Sequence, residues 1–285
     1  MAHPSVPRTL SSTEIGFVAV ERRVRISCDD SALCDFLSRN FEGFEAWDLS
    51  EEADLAYVIE GDPASSTFVL STPRRPALNT SDPGKLLFSL EKSLTADLQR
   101  ARSDLLFLHA AALERNGLAY LLVGESGSGK STTAWGLLRH GFAYLSDELS
   151  PIDLGSLRVF RYPHAISFKR PPPVGYELPH KGVADFGRTM RLPVTGISAA
   201  VSSGPCPLGA VLLVRYSADL TQPALLSVSA GEATARLYLS TLNALSHPSN
   251  GLDAVIRIVR AVPCFHIQTT TDLRATCELI GSLRR

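Results

Sequence analysis

Residues 124–131 combine the residue types that hold a nucleotide's phosphates. They read GESGSGKS, which fits the spacing G-x-x-x-x-G-K-S of a phosphate-binding loop. Glycines let backbone N–H groups converge on an anion that side chains would otherwise block. Lys130 adds a mobile positive charge for the β- and γ-phosphates, and the hydroxyl of Ser131 is a ligand for Mg²⁺. The predicted nucleotide-binding residues are Gly124, Glu125, Ser126, Gly127, Ser128, Gly129, Lys130, Ser131 and Thr132.

An acidic pair, Asp147 and Glu148, follows the next predicted strand at 142–145. A crossover through a helix at 130–139 makes this strand parallel to the strand at 118–123, so both strands end at the same edge of the sheet. That edge carries the phosphate loop. A carboxylate there can hold Mg²⁺ or accept a proton from an attacking hydroxyl. The alternative is that the pair only caps the following turn.

Asn116 and Gly117 lie between two apolar runs, an arrangement typical of a β-hairpin with a two-residue turn. Such a turn pairs residue 115 with residue 118 and, six positions further, His109 with Gly124. We therefore predict a catalytic role for His109 beside the bound nucleotide. A longer turn would aim this side chain elsewhere, and the alternative is a structural histidine at the start of a strand.

Hydrophobic spacing and turn residues predict the elements that position these groups. In the first hundred residues they indicate two strands within 14–27, a helix at 30–40 capped by Asp29, Asp30 or Ser31, strands at 54–60 and 67–72, a loop at 72–84 and a helix at 85–103. After the acidic pair they indicate a strand at 208–216, helices at 230–246 and 249–262, a strand at 263–269 and a helix at 271–284. We predict an α/β protein with an N-terminal α+β module at 1–100, which helps to recognise the substrate, and a catalytic domain at 101–285.

The segment 169–193 is rich in proline, glycine and charge, which predicts a mobile loop or flap. A flap that closes over an acceptor excludes water and limits wasteful hydrolysis. Within it, Asp185, Phe186 and Gly187 match a protein-kinase signature whose companion motifs are missing. We interpret this tripeptide as a chance match.

Composition excludes several other classes of protein. The 28 basic and 29 acidic residues give a formal charge of −1, which disfavours a protein that coats a polyanion. The sequence contains no run of 18 apolar residues, so no membrane span is expected. The first residues lack the apolar core of a signal peptide. The five cysteines are odd in number and form no C-x-x-C pair, so neither a disulfide framework nor a zinc site is expected. We expect a cytoplasmic protein with no nucleic-acid or membrane partner.

Residues 108–148, LHAAALERNGLAYLLVGESGSGKSTTAWGLLRHGFAYLSDE, resemble the catalytic core of the bacterial HPr kinase/phosphorylase family. That core has, in order, a histidine, a hairpin, a phosphate loop, a helix ending R-x-G and an acidic pair after the next strand. The matching positions are His109, Asn116-Gly117, residues 124–131, Arg139 to Gly141 and Asp147-Glu148. The second aspartate of the family's pair is Glu148 here.

The resemblance implies a P-loop kinase core of the HPr kinase/PEP carboxykinase type, with a mixed sheet and flanking helices, and it implies that Asp147 is the base toward a serine hydroxyl. The residues themselves predict that Lys130 acts in catalysis through the β- and γ-phosphates and that Ser131 binds Mg²⁺, with Glu148 as a candidate second ligand. No N-K-x-D guanine signature is present, which favours ATP over GTP. Members of the family assemble into oligomers, which makes a homo-oligomer a candidate assembly.

The family's second signature, L-E-x-R-G-x-G, is missing, and residues 159–169 stand in its place. The chain is closer to shorter HPr-kinase-like proteins of peptide-modification systems, which include lasso peptide precursor kinases. Arg161, His164 and Lys169 are candidate contacts to the substrate or the transferred phosphate. The alternative is that they are ordinary residues of an exposed strand.

These observations predict an ATP-dependent kinase that phosphorylates a hydroxyl group. The expected acceptor is a serine of a precursor peptide or small protein. One alternative is a kinase of small molecules on the same fold. Another is a nucleotide-dependent regulatory ATPase that has no phosphate acceptor.

Overall fold

A computed structural model describes residues 13–62 and 65–283 of the 285-residue chain. The chain divides into two compact units, the first comprising Met1–Arg39 and Glu45–Asp97 and the second Asn40–Phe44 and Leu98–Arg285. Most of the N-terminal stretch that lacks a signal-peptide core, and the last residue of the helix predicted at 271–284, lie outside the described residues. Within the described ranges, no helix combines the length and apolarity needed to cross a membrane.

The first unit contains a mixed sheet whose strands pair in chain order. Its described elements are β1 (Thr13–Ala19), β2 (Arg22–Cys28), α1 (Ser31–Phe41), β3 (Leu55–Asp62), β4 (Thr67–Ser71), β5 (Leu78–Thr80) and α2 (Pro83–Ala101), the two helices extending past the unit's boundary. β2 and β3 are parallel, and the other neighbouring strands are antiparallel. The Asp30 carboxylate accepts the N–H of Leu33 at 2.8 Å, so Asp30 is the N-cap of α1 among the three predicted candidates. The module's role in substrate recognition stays a prediction.

The second unit is built on a larger mixed sheet. Its described strands are β6 (Leu105–Leu108), β7 (Ala110–Arg115), β8 (Leu118–Val123), β9 (Ala143–Ser146), β10 (Ser150–Asp153), β11 (Arg158–Val159), β12 (Ile166–Phe168), β13 (Ala184–Asp185), β14 (Met190–Leu192), β15 (Cys206–Tyr216), β16 (Ala224–Ser227) and β17 (Cys264–Thr269). Its described α-helices are α3 (Lys130–Leu138), α4 (Ala230–Leu239), α5 (Leu252–Ala261) and α6 (Leu273–Gly281). The order along the sheet is β6-β10-β11-β15-β8-β7-β9, with β17 beside β15 and β16 beside β17.

The hairpin β7–β8 has the predicted register. Asn116 and Gly117 have φ of +53° and +77°, the left-handed conformation at both central residues that a type I′ turn requires. The ladder runs from Arg115 opposite Leu118 to Ala110 opposite Val123. His109 therefore directly precedes the last pair of the hairpin, next to the start of the phosphate loop.

The two strands on either side of α3 point in the same direction but are not neighbours. β7 lies between them and is antiparallel to both β8 and β9. Two antiparallel steps restore the original direction, so the carboxyl ends of β8 and β9 lie at one edge of the sheet. The predicted parallel relation is confirmed, and the intervening strand is the hairpin partner.

Helices cover both faces of this sheet around β8. On one face, Tyr120 and Leu122 belong to a buried core with residues of α3 and α6. On the other face, Ala119, Leu121 and Val123 belong to a core with residues of α4 and α5. Burial on both faces explains the continuous apolar run of β8. The predicted α/β class is confirmed.

Several predicted element bounds are wrong. The loop predicted at 72–84 contains β5, and the helix predicted at 230–246 ends at Leu239. Beyond that helix, the buried side chain of Asn243 accepts the N–H of Phe107 at 2.9 Å and donates to the carbonyl of Leu105 at 2.8 Å. These bonds hold the chain against β6 and stop the helix from continuing.

The segment 169–193, predicted to be a mobile loop or flap, contains two short strands, and its mobility stays a prediction. β14 pairs with both β12 and β13 in a small antiparallel sheet. Asp185, Phe186 and Gly187 lie at the turn between β13 and β14, where the Asp185 carboxylate accepts the N–H of Gly187 at 2.7 Å. The kinase-like tripeptide therefore has a local structural role.

Candidate active site

The phosphate loop requires glycine at several positions. Gly127 and Gly129 have φ of +86° and +95°, a left-handed conformation that side chains disfavour. A Cβ atom on Gly124 would lie 2.6 Å from the hydroxyl oxygen of Ser128 and 2.7 Å from the carbonyl oxygen of Val214, which is too close. The loop thus presents its backbone without intervening side chains, as an anion nest requires.

Lys130 begins α3 and is buried at the centre of the site. The helix starts without a side-chain cap, so its first N–H groups and the positive end of its dipole face the loop. The Lys130 ammonium donates to the carbonyl oxygens of Gly124 and Glu125 at 2.6 and 3.1 Å. An ammonium has three donors, so this arrangement leaves one for a phosphate oxygen.

Asp147 is a buried carboxylate with one oxygen hydrogen-bonded and the other without a hydrogen-bond partner among the described residues. Its Oδ2 accepts the hydroxyl of Ser131 and the backbone N–H of Ser167, each at 3.2 Å. Its Oδ1 is buried and has no hydrogen-bond partner among the described residues. Burial, with the adjacent charge of Glu148 as a second cause, raises the pKa of Asp147 from 3.8 to about 6. A carboxylate with this pKa accepts a proton efficiently near neutral pH.

Glu148, the second member of the pair, has its pKa held below the ordinary value of 4.5. Burial alone would raise the pKa. The charges of His164, Arg191, His109 and Lys169 together outweigh it. The two carboxylates therefore differ in their proton affinity, which separates a proton acceptor from a permanently charged neighbour.

His109 lies next to the start of the phosphate loop, as the hairpin register predicts, and it also contacts the backbone of the acidic pair. Its Nδ1 is 3.2 Å from the backbone carbonyl of Glu148, and because a carbonyl only accepts, Nδ1 carries the proton. Burial, reinforced by the charge of Lys130, lowers the pKa of His109 below 6.5. The ring is then neutral near neutral pH, with the lone pair on Nε2.

These groups line one cavity of about 430 Å³. The predicted residues that line it are His109, Ser126, Gly127, Gly129, Lys130, Ser131, Thr132, Asp147, Glu148 and Lys169. The Lys169 ammonium donates to the hydroxyl of Ser126 in the loop. The remaining loop residues, Gly124, Glu125 and Ser128, line a second cavity on the other side of the loop.

Two predicted contacts to substrate or phosphate are placed outside these cavities. The guanidinium of Arg161 lies 3.5 Å from the carbonyl oxygen of Ser202. His164 is buried, with Nδ1 2.7 Å from the carbonyl oxygen of Ala165. Of the three residues predicted from 159–169, only Lys169 reaches the cavity lining, because the strand β12 that follows His164 carries it there.

Sequence reasoning missed three residues at the site. Ser167 fixes the orientation of Asp147, and Arg170 lines the cavity beside Lys169. Arg191 of β14 lies opposite Ser167 in the small sheet and is one of the charges that act on Glu148. None of these residues belongs to a motif. The pairing of β12 with β14, which brings Arg191 to the site, has no signal in local spacing.

The donor set near the loop suits Mg²⁺. The hydroxyl of Ser131 and the carboxylates of Asp147 and Glu148 supply hard oxygen donors, and Asp147 has a buried oxygen without a partner. Among the described residues, no group of three His, Cys, Asp or Glu side chains could hold a metal ion. A cation at this position therefore needs phosphate oxygens as further ligands, which is how Mg²⁺ binds with a nucleotide.

No protein-family model and no curated protein matches this chain.

Proposed function

We propose that this chain is a kinase that transfers the γ-phosphate of ATP to a hydroxyl group, with a serine of a precursor peptide or small protein as the acceptor. The observation that carries the proposal is one cavity whose lining contains both a phosphate loop and a buried carboxylate with an unpaired oxygen. The order of histidine, hairpin, loop, helix and acidic pair supports a P-loop kinase core of the HPr kinase/PEP carboxykinase type.

In the proposed reaction, the loop backbone and Lys130 bind the β- and γ-phosphates. Lys169, which bonds Ser126 of the loop, and the neighbouring Arg170 also line the cavity and add positive charge where negative charge develops. Ser131 and Glu148 would hold Mg²⁺, which would neutralise phosphate charge when bound. Asp147 Oδ1 accepts the proton of the acceptor hydroxyl, while Ser131 and Ser167 hold Oδ2.

His109 is proposed to position the reacting groups. It is neutral, and its Nδ1–H is engaged by the backbone carbonyl that follows Asp147 in the chain. Its Nε2 is then an acceptor at the cavity wall. A backbone N–H group of the acceptor segment bound there is held by one hydrogen bond, which leaves the only proton of the acceptor hydroxyl for Asp147.

The test is to incubate the full chain with γ-labelled ATP, Mg²⁺ and serine-containing peptides, and to locate the label by mass spectrometry. Lys130→Ala is expected to lower transfer by about 10²–10³-fold, because it removes the ammonium group that binds the transferred phosphate. Lys92→Ala, on the exposed side of α2, is the matched control and should transfer normally.

Label on a free metabolite and on no peptide would identify a small-molecule kinase instead. Phosphate release without any acceptor, unaffected by Asp147→Asn, would identify an ATPase and refute the base assignment. Glu148→Gln is expected to raise the Mg²⁺ concentration needed for half-maximal rate, whereas Asp147→Asn is expected to lower kcat. A Mg²⁺ requirement that shifts with Asp147→Asn would make Asp147 a cation ligand.

A further inference from the structure

The second cavity adjoins the first residues of the phosphate loop and has a volume of about 850 Å³. Gly124, Glu125 and Ser128 line it, whereas Gly129, Lys130 and the start of α3 line the first cavity. His109, Ser126 and Gly127 line both. The two cavities therefore meet at a shared rim.

Exposed apolar side chains are concentrated in this second cavity. Of the ten large hydrophobic side chains that are exposed in the described part of the chain, four line it. They are Tyr216, Leu226, Leu239 and Leu242, and Leu239 is 80% exposed. Exposed apolar groups that cluster in a concave site mark a surface that binds another molecule.

The cavity is built from regular elements. Strand pairing places Leu226, His266 and Leu213 side by side on one sheet face, which forms one wall. α4 forms another wall, because Glu232 is 2.9 Å from His266. An ion pair between Arg236 of α4 and Glu125 of the loop, at 3.3 Å, ties this wall to the phosphate loop.

Charge distinguishes the two cavities. The first contains Lys130, Lys169 and Arg170, which suit a triphosphate. In the second, Arg236 is paired with Glu125, Glu232 lies 2.9 Å from His266, and Arg215 is a further charged residue of the lining. The two arginines and two glutamates of this lining balance in formal charge, beside four apolar side chains. This lining fits an uncharged apolar group and not a polyphosphate.

We propose that the second cavity receives the acceptor segment, with a large apolar side chain close to the hydroxyl-bearing residue packed among Leu226, Leu239 and Tyr216. This inference rests on the proposed kinase function. The acceptor hydroxyl reaches the first cavity across the rim formed by His109, Ser126 and Gly127. Its oxygen bonds to the γ-phosphorus as the bond to the β–γ bridging oxygen breaks, ADP leaves with that electron pair, and the hydroxyl proton passes to Asp147.

The experiment uses the full chain, γ-labelled ATP and pools of serine peptides in which one flanking position at a time is fixed. Wild type is expected to prefer Leu, Ile, Phe or Met over Ser, Asp or Lys at one position near the serine. For the preferred peptide, Leu239→Ser and Leu226→Ser are expected to raise KM about ten-fold, because the buried apolar contact is lost. Leu245→Ser is the matched control, since Leu245 is 86% exposed and lies outside the cavity lining.

Two results would overturn the acceptor groove while leaving the kinase function intact. One is labelling of every pool with no apolar preference. The other is a ten-fold rise of the KM for ATP, in place of the KM for peptide, in Leu239→Ser, which would assign the cavity to the nucleoside. Wild-type protein that labels no peptide in any pool would refute the proposed acceptor class, and the groove with it.

Discussion

At the level of single residues, Asp147 carries its charge in an unfavourable environment. It is completely buried beside Glu148, and its Oδ1 lacks a hydrogen-bond partner among the described residues. Sites that perform proton transfer often accept such a cost in stability, because the same burial raises the carboxylate's proton affinity. Two measurable consequences follow, one for stability and one for rate.

The first consequence is that Asp147→Asn should stabilise the fold at pH 7. The folded-state pKa of about 6 lies above the ordinary value of 3.8, so protonated Asp147 stabilises the fold relative to the ionised form. This stability is fully present below pH 3.8 and is lost as the pH rises through 6. The difference corresponds to a free energy of unfolding on the order of 3 kcal/mol at pH 7. Urea unfolding should show this gain for Asp147→Asn at pH 7 and almost none at pH 4. An equal gain in the free energy of unfolding at pH 7 and pH 4 would exclude the ionisation of Asp147 as the cause of the gain.

The second consequence is a pH dependence of kcat/KM. If Asp147 accepts the acceptor's proton, the rate should fall about ten-fold per pH unit below pH 6, since only the ionised carboxylate is active. This fall of kcat/KM below pH 6 should persist in His109→Gln, which retains Asp147. If the fall disappears in His109→Gln, the titrating group is the histidine.

At the level of elements, α3 follows the phosphate loop in the chain, and side chains within and just beyond it contact the segment 169–193. The loop precedes Lys130 at the start of the helix. Beyond its end, the side chain of His140 is 2.7 Å from the hydroxyl of Tyr176 and stacked on its ring. Within the helix, Trp135 Nε1 donates to the carbonyl of Tyr176 at 2.7 Å. The same segment begins with Lys169, which bonds Ser126 of the loop, so it is held at two places.

Tyr176→Ala should therefore loosen this segment and expose it to trypsin. The substitution removes the hydroxyl bond and the ring stacking with His140, while Lys181 and Arg188 remain as cleavage sites. Cleavage at these two sites should accelerate several-fold, as followed by mass spectrometry. Val174→Ala is the control, because Val174 is 94% exposed in the same segment. Equal cleavage rates in Tyr176→Ala and wild type would refute the anchoring role.

At the level of the whole molecule, a short segment that lies between two parts of the first unit belongs to the second. Within Asn40–Phe44, the carbonyl of Asn40 accepts the N–H of Ala165 at 2.9 Å. The ring of Phe44 packs edge-on against Tyr162, with ring centroids 5.0 Å apart. The stretch 162–165, which is bridged to Ser146 next to the acidic pair, thus contacts a segment more than a hundred residues earlier in the chain.

Phe44→Ala should consequently destabilise the second unit by about 3 kcal/mol, because it removes a buried ring. The two tryptophans allow a clean measurement: Trp47 lies in the first unit and Trp135 in the second. In a Trp47→Phe background, urea unfolding followed by fluorescence reports on Trp135 alone. Phe88→Ala removes an exposed ring and should change the second unit's stability by less than about 0.5 kcal/mol. Equal midpoints for the two variants would contradict the role of Phe44.

Much of the site could be predicted because its signals are local. The spacing of Gly124, Lys130 and Ser131 reflects a loop and helix start that fold within eight residues. Asn116 and Gly117 set the hairpin register, and that register alone brought His109 to the loop. The predicted end of the helix at residue 246 was wrong, because Asn243 is hydrogen-bonded to β6, more than a hundred residues away in the chain.

The sequence by itself therefore determined the phosphate loop, the hairpin and the common edge of β8 and β9, since each depends on turn chemistry, helix capping or chain direction over short distances. Only the tertiary structure decided that β7 lies between those strands and that Arg191 approaches Glu148. It also decided that Arg161 and His164 lie outside the cavities and that four exposed apolar side chains gather beside the loop. These features depend on pairings between segments distant in the chain, whose free energies no local pattern encodes.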